Sequence, residues 1–260
     1  MEGIKVTPIC ALPINKLPKV CVVVGDPNRA KLVSEKMMKE STLVSAVREY
    51  HCYRGMWDDT ELLVMSHGIG GGGASVCFEE LIQAGVTTII RAGTAGSFDP
   101  RYREGSLIIA TGAVRSDGVS EGLVPLGYPS ISDHEVVAAL IESAKAQQEI
   151  NYGVGIITTV GHFFDGPLGN HNKLWARSRV LAIEMEASIL FIIASLRGIR
   201  AGCCVNIDNY IFERELTEKY EPNRDIVHQG TIKMLKVALD SAKSLSSSAN
   251  ITPVNANGSN

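Results

Sequence analysis

The stretch VCVVVGDPNRAKLV, from Val20 to Val33, joins an apolar strand to a helix through a turn that contains glycine and proline. Other short runs rich in Val and Ile alternate with helical patterns along the chain. This alternation is typical of an α/β fold in which helices flank a largely parallel sheet. It predicts strands at 19–24, 62–66, 87–91, 106–111, 154–160, 181–184 and 200–207, and helices at 28–38, 74–84, 134–148, 185–196 and 225–244.

The length of the chain allows one large domain or two small ones, and we interpret it as one. Its 260 residues are enough to bury one large core. We assign residues 1–245 to this domain. Residues 246–260 are rich in Ser and Asn and lack periodicity, which predicts a disordered C-terminal tail.

Composition excludes several classes of partner. The net charge of -3 and the pI near 6.1 provide no basic field for nucleic acid, so we expect a small-molecule substrate. No apolar run approaches the roughly 20 residues of a membrane span, and the first twenty residues lack a secretory signal. We therefore expect a cytoplasmic protein. The six cysteines show no metal-ligand spacing, which predicts reduced, buried thiols and no metal site.

Two predicted strand ends present an arginine beside glycine. Gly25 and Arg29 follow the first strand, and Arg91 is followed by Gly93 and Thr94. Glycine lets the backbone approach a ligand, and a guanidinium forms paired hydrogen bonds with an oxyanion. Ligands gather at the carboxyl ends of strands in open α/β sheets, so these residues indicate one anion site. The alternatives are an ordinary strand-to-helix turn for the first segment and a structural salt bridge for Arg91.

A glycine-rich segment, SHGIGGGGA, follows another predicted strand. Gly68, Gly70 and Gly73 formally satisfy the G-x-G-x-x-G pattern of dinucleotide-binding folds. That pattern expects an acidic residue about 20 positions further on, where this chain has Arg91, so an NAD-dependent dehydrogenase is disfavoured. His67 is either a catalytic base or a hydrogen-bonded loop histidine.

Carboxylates lie at two further strand ends. Glu184 and Glu186 are two apart where a strand passes into a helix, so one can face a site while the other braces the structure. Asp208 closes an apolar strand and could serve as a general acid. The alternatives are a solvated helix start for the glutamates and a loop cap for Asp208.

Taken in order, these segments resemble the purine nucleoside phosphorylase and uridine phosphorylase family, and most closely the purine phosphorylases of apicomplexan parasites. The resemblance runs from about Pro18 to Ala242. It implies a single α/β domain of the nucleoside phosphorylase type, with a mixed, largely parallel, distorted barrel-like sheet. It also implies a homo-oligomer that is at least a dimer and is expected to be a hexamer.

The resemblance also implies a role for each motif residue. By similarity, phosphate is held by Gly25, Arg29, Arg91, Gly93 and Thr94, together with Arg48 from the adjoining subunit; the ribose and base contact Ile69, Phe163, Glu184, Met185 and Glu186; and Asp208 protonates the departing purine. Phosphate is then a co-substrate, and no metal or organic cofactor is required.

Two departures from the family pattern bear on specificity. Ile9 stands where relatives carry a histidine that contacts the ribose 5'-hydroxyl, which predicts tolerance of an apolar 5'-substituent such as methylthio. The segment 161–172 lacks the Gln and Arg with which uridine phosphorylases hold uracil, which favours a purine. Uridine phosphorylase, a hydrolytic nucleosidase and a non-catalytic nucleoside-binding or storage protein are the alternatives.

Overall fold

The computed structural model describes residues 5–147, 149–213 and 224–247. The strands are β1 Val20–Val24, β2 Lys39–Val47, β3 Tyr50–Trp57, β4 Thr60–Ser66, β5 Thr88–Ser97, β6 Leu107–Ser116, β7 Tyr152–Val160, β8 Ala182–Glu184 and β9 Arg200–Tyr210. The helices are α1 Pro27–Lys36, α2 Gly71–Gln83, α3 His134–Ala146, α4 Asn172–Arg177, α5 Ala187–Arg197 and α6 Asp225–Ser246.

One mixed sheet contains all of these strands. Their order is β2-β3-β4-β1-β5-β8-β7-β6-β9, and an additional pairing of β5 with β9 closes the last five into a ring. β1 pairs in parallel with β4 and β5, and β5 pairs in parallel with β9. The expected single α/β domain with a barrel-like sheet flanked by helices is confirmed.

The sheet is apolar on both faces because helices cover each of them. In β1, Cys21 and Val23 belong to one core cluster, while Val20, Val22 and Val24 belong to the other. Helices α2 and α5 contribute to the first cluster, and α1, α3 and α6 to the second. A strand covered on both sides appears in sequence as an unbroken apolar run, which is how β1 was recognised.

Several predicted boundaries differ from the structure. Strands β2 and β3 were not predicted, because β2 is largely exposed and carries no apolar run. Strand β5 continues through the Gly93–Ser97 segment, which pairs with β9 and so remains extended. Helix α6 reaches Ser246, so the predicted tail begins inside the helix, while residues 248–260 lie outside the described residues.

Within the described ranges, no helix is both long and apolar enough to cross a membrane. The same residues contain no cluster of three or more His, Cys, Asp or Glu side chains suited to a metal ion. All six cysteines are buried and free of disulfide bonds.

Candidate functional site

A cavity of about 800 Å³ opens where β1, β4, β5, β8 and β9 end. Its walls include nearly all of the site residues predicted from sequence: Gly25, Arg29, Ile69, Arg91, Gly93, Thr94, Phe163, Glu184, Met185, Glu186 and Asp208. These residues are separated by up to 183 positions in the chain, and the topology of the sheet brings them together. Their convergence meets the main structural requirement of the predicted anion and nucleoside site.

The loops after β1 and β4 form one end of the cavity. The amide of His67 donates to the carbonyl of Val24, at 2.9 Å, and the amide of Gly68 donates to that of Gly25, at 3.0 Å. Helix α1 starts at Pro27, two residues after Gly25, and its N-terminus carries a partial positive charge. Arg29 in the first turn of α1 lines the same cavity. This end of the cavity is therefore suited to an anion.

Arg91 is the centre of a buried hydrogen-bond network. Its Nε donates to Glu184 at 3.0 Å, and its Nη2 forms an ion pair with Glu186 at 2.5 Å. Its Nη1 contacts Nε2 of His67 at 3.0 Å. Burial alone would lower the pKa of Arg91, but the charges of Glu186 and Glu184 outweigh it and raise that pKa. Arg91 therefore forms the structural salt bridges of the alternative interpretation, and it does so in the wall of the cavity where the anion site is predicted.

Glu184 braces the site. Its Oε1 accepts from Thr159 Oγ1 at 2.5 Å, and its two oxygens accept from the amides of Glu186 and Ala187 at the start of α5. Its side chain is fully buried. Both oxygens of Glu184 are bonded to protein groups and the residue lines the cavity, so its assignment to the ribose and base contacts stays a prediction.

Glu186 faces the cavity more directly. Its Oε1 accepts from the amide of Gly70 at 2.5 Å, which places the glycine-rich loop against a carboxylate. Burial raises the pKa of the Glu186 carboxyl, Arg91 opposes this rise, and Glu184 adds to it. Met185 is half-buried beside it, and Ile69 is 83% exposed at the rim. A polar and an apolar surface thus lie side by side, as a sugar requires.

Asp208 reaches the cavity through a β-bulge. Ala95 of β5 pairs with Ile207, but the next residue, Gly96, pairs with Asn209, so Asp208 is the extra residue of β9. A bulge of this kind turns a side chain away from the regular alternation of a strand. The side chain of Asp208 is buried. The backbone carbonyl of Asp208 accepts a hydrogen bond from Nη2 of Arg224 at 3.0 Å.

Another part of the cavity wall is formed by the segment between β7 and α4. Phe163 is 44% exposed there and packs edge-to-face on Phe164, with the ring centroids 5.1 Å apart. Sequence reasoning missed several other polar and aromatic side chains of the cavity wall: His162, Asp165, Asn170, His171, Trp175 and Asn209. Of these, only the residues between β7 and α4 could have been indicated, by their placement after a strand. The segment from Asn209 to Arg224 lies partly outside the described residues.

Arg48 is not brought to this cavity within its own chain. It lies at the exposed turn between β2 and β3 with a φ of 55°, and the cavity wall contains its neighbour Glu49 instead. The sequence assigned Arg48 to the site of an adjoining subunit. That assignment stays a prediction.

Comparisons with known proteins support the geometry. The family model described as the phosphorylase superfamily matches residues 19–241. A uridine phosphorylase from Haemophilus influenzae is 33% identical over 239 residues, covering 87% of this chain and 92% of the relative. A guanosine phosphorylase from Halorubrum lacusprofundi is 30% identical over 214 residues, covering 79% and 88%. The crystal structure of purine nucleoside phosphorylase from Toxoplasma gondii, in complex with immucillin-H, is 29% identical with a TM-score of 0.89, covering 95% of this chain and 99% of that one.

Proposed function

Because the chain belongs to the phosphorylase superfamily, we propose that it is a purine nucleoside phosphorylase. In the proposed reaction, inorganic phosphate displaces the base of a purine ribonucleoside and forms ribose 1-phosphate. The observation that carries this proposal is that Asp208 lies in the same cavity as Glu186, Arg29 and Arg91. An acid, a hydroxyl acceptor and two cations are the groups that this displacement needs.

The end of the cavity formed by the loops after β1 and β4 would hold the phosphate. Arg29, Arg91 and Thr94 supply charge and hydrogen-bond donors beside Gly25, where the backbone allows close approach. Three of the five N–H groups of Arg91 donate to protein partners in the described part of the chain, which leaves two for an oxyanion. Phosphate is consumed as a co-substrate, so the proposed reaction uses neither a metal nor an organic cofactor.

Glu186 would bind the ribose hydroxyls. Each carboxylate oxygen has two lone pairs, so Glu186 can accept hydroxyl protons while it keeps its bonds to Gly70 and Arg91. A phosphate oxygen then attacks the anomeric carbon as the bond to the base nitrogen breaks. The electrons of that bond pass to the base, and Asp208 gives a proton to N7 of the purine.

The part of the cavity around Phe163 would bind the base, and it suits a purine with a 6-oxo group. Phe163 offers an aromatic surface, and the segment around it lacks the Gln and Arg of uracil recognition. The side chain of Asn209 is buried next to Asp208, and its Nδ2 has no hydrogen-bond partner within the described residues. A free amide donor in the cavity wall matches a carbonyl on the base better than an amino group.

One assay tests this function. The protein is incubated with inosine, guanosine, adenosine and uridine, each with and without phosphate, and the products are identified. We expect purine base and ribose 1-phosphate from inosine and guanosine, and only when phosphate is present. Base release that is equally fast without phosphate would identify a nucleosidase. Binding without turnover would identify a non-catalytic nucleoside-binding protein.

The position of Ile9 adds a second comparison to the assay. Its amide and that of Cys10 are held by Glu80, and its side chain is 43% exposed. An apolar side chain at this position gives no hydrogen bond to a 5'-hydroxyl, so we propose that 5'-methylthioinosine is accepted. A strong preference for inosine in kcat/KM would count against this.

Uridine phosphorylase is the second candidate function. The uridine phosphorylases of Haemophilus influenzae and Escherichia coli, at 33% and 30% identity, favour it. The two functions differ in the base edge that must be recognised, and the assay separates them directly. A kcat/KM for uridine above that for inosine would replace the purine assignment.

A further inference from the structure

The proposed reaction assigns no role to His67, which is a buried titratable group. His67 follows β4, is fully buried, and packs edge-to-face on Phe78 of α2, with the ring centroids 5.5 Å apart. His67 does not line the cavity, whereas its neighbour Arg91 does. A group with no access to the substrate cannot serve as its base, so the other interpretation of this histidine, as a hydrogen-bonded residue, fits better.

The neighbours of His67 determine its protonation state. Nδ1 lies 2.9 Å from the carbonyl oxygen of Gly68, which can only accept, so Nδ1 carries the proton. Nε2 lies 3.0 Å from Nη1 of Arg91, which can only donate, so Nε2 carries the lone pair. Burial lowers the pKa of His67, and the charges of Arg91 and Arg29 lower it further. The ring is therefore a neutral acceptor aimed at Arg91.

A neutral acceptor has a specific advantage at this point. Arg91 already has two carboxylate partners, Glu184 and Glu186. These two carboxylates balance the charges of Arg91 and Arg29, so a third carboxylate would make the cluster net negative even before an anion arrives, and like charges repel. His67 fixes Nη1 without reducing the positive charge that Arg91 and Arg29 offer.

Glycine completes the positioning of Arg91 from the other side. A Cβ at Gly93 would lie 2.7 Å from Cζ of Arg91, so the guanidinium packs directly on the backbone of its own strand. With Nε held by Glu184 and Nη1 by His67, two edges of the guanidinium are fixed by buried protein groups. The remaining N–H groups then point in a defined direction.

We propose that His67 is a positioning residue that holds the guanidinium of Arg91, through its Nε2 acceptor, in the orientation that binds phosphate. The proposal rests on the proposed function for the identity of the anion. It assigns to His67 an effect on phosphate affinity and none on the sugar or the base.

The test compares two variants of similar length. His67→Gln keeps an acceptor near the position of Nε2, whereas His67→Met removes it. We expect the phosphate KM to rise about tenfold to a hundredfold in H67M, because a buried hydrogen bond to a charged group is lost. The nucleoside KM should change less than about threefold, and H67Q should restore most of the phosphate affinity. His134→Gln, at an exposed helix start, is the control substitution.

Two measurements keep the result interpretable. The melting temperature without ligand reports folding, and its rise with added inorganic phosphate reports binding without any turnover. If H67M does not fold, His67→Asn replaces it, because the shorter amide cannot reach Arg91. An unchanged phosphate KM in H67M, or equal impairment of H67Q and H67M, would overturn the proposal.

The same measurements separate this proposal from the proposed function. If no nucleoside is cleaved but phosphate still raises the melting temperature of the unaltered protein, the enzyme assignment fails and His67 is judged from the melting shift alone. If phosphate has no effect on that protein, the anion site itself is absent and the role of His67 is overturned.

Discussion

The side chain of Asp208 reaches the cavity because one extra residue interrupts the pairing of β9 with β5. We predict that Asp208→Asn lowers kcat for inosine by about a hundredfold to ten-thousandfold, which is the usual contribution of a general acid. The amide keeps the shape of the side chain and removes the proton that the departing base needs. Initial rates at saturating phosphate measure the effect.

A substrate whose base needs no proton provides the control. The base of 7-methylguanosine is already positively charged at N7, so it departs without an acid. We expect D208N to slow its cleavage by less than roughly tenfold. Equal losses with both nucleosides would mean that Asp208 acts in binding or folding rather than as the acid.

At this scale, sequence reasoning placed residues better than it placed their contacts. Arg29, Glu186 and Asp208 were identified from their positions after apolar strands, and all three line the cavity. The contacts of Arg91 with His67 and Glu184 were not predictable, because they join segments that are distant in sequence. The bulge at Asp208 was equally hidden, since a bulge depends on the register of the partner strand.

The start of helix α5 is held by a chain of buried hydrogen bonds from strand β7. Thr159 Oγ1 donates to Glu184 and accepts from the amide of Ser188 at 2.9 Å. We predict that Thr159→Val destabilises the protein by about 1–3 kcal/mol, because two buried polar groups lose their partner. The free energy of unfolding in urea measures this, and the nucleoside KM should rise as Glu186 loses its support.

The preceding residue is a matched control on the same strand. Thr158 is also fully buried, but its Oγ1 has no hydrogen-bond partner in the part of the chain that the structure describes. Thr158→Val should therefore leave the unfolding free energy unchanged or raise it. Similar destabilisation by both substitutions would contradict the bracing role of Thr159.

Helix α2 anchors the N-terminal arm, residues 5–14, through one carboxylate. The Oε1 and Oε2 of Glu80 accept from the amides of Ile9 at 2.8 Å and Cys10 at 2.6 Å. Burial would raise the pKa of Glu80, but hydrogen bonds from Thr7, Cys10 and Ile9 outweigh it and lower that pKa below its ordinary value of 4.5. The ionised form is thus the one that the fold stabilises.

The lowered pKa gives a pH-dependent prediction. Ionised Glu80 contributes stability above pH 4.5, and this contribution is lost as the pH falls through the lowered pKa. Glu80→Gln should cost about 1–3 kcal/mol at pH 7, and its difference from the unaltered protein should shrink in acid. Glu79→Gln, which breaks only a partly exposed pair with Arg197, is the control and should cost less. A difference that does not vary with pH would refute this account.

At the scale of elements, the core strands were predicted from their apolar runs. Strands β2 and β3 were missed because this method detects only strands with such a run. The burial of β2 is low along most of its length, so its residues carry no apolar pattern. The segment Gly93–Ser97 has the composition of a loop, yet it remains a strand because Gly93 and Thr94 pair with Val205 and Asn206 of β9. Pairing with a distant strand overrides local propensity here.

At the scale of the whole molecule, Arg48 does not line the cavity of its own chain. It lies at the tip of the β2–β3 hairpin, and the neighbouring strand exposes Leu43, which is 58% accessible. We propose that the hairpin contacts an adjoining subunit, whose phosphate end then receives the guanidinium. In a twofold dimer, each chain would complete the site of the other.

Mixed oligomers test this sharing of residues. Arg48→Ala and Asp208→Asn are each expected to be nearly inactive alone, but a dimer of one R48A chain and one D208N chain contains one site with both natural residues. If the two chains pair at random, co-expression should restore about a quarter of the unaltered activity per site. Co-expression of R48A with a chain that carries both substitutions is the control and should restore nothing. Activity that merely equals the average of the two parent variants would place Arg48 outside the site of its neighbour, and the minimal active unit would then be the single chain.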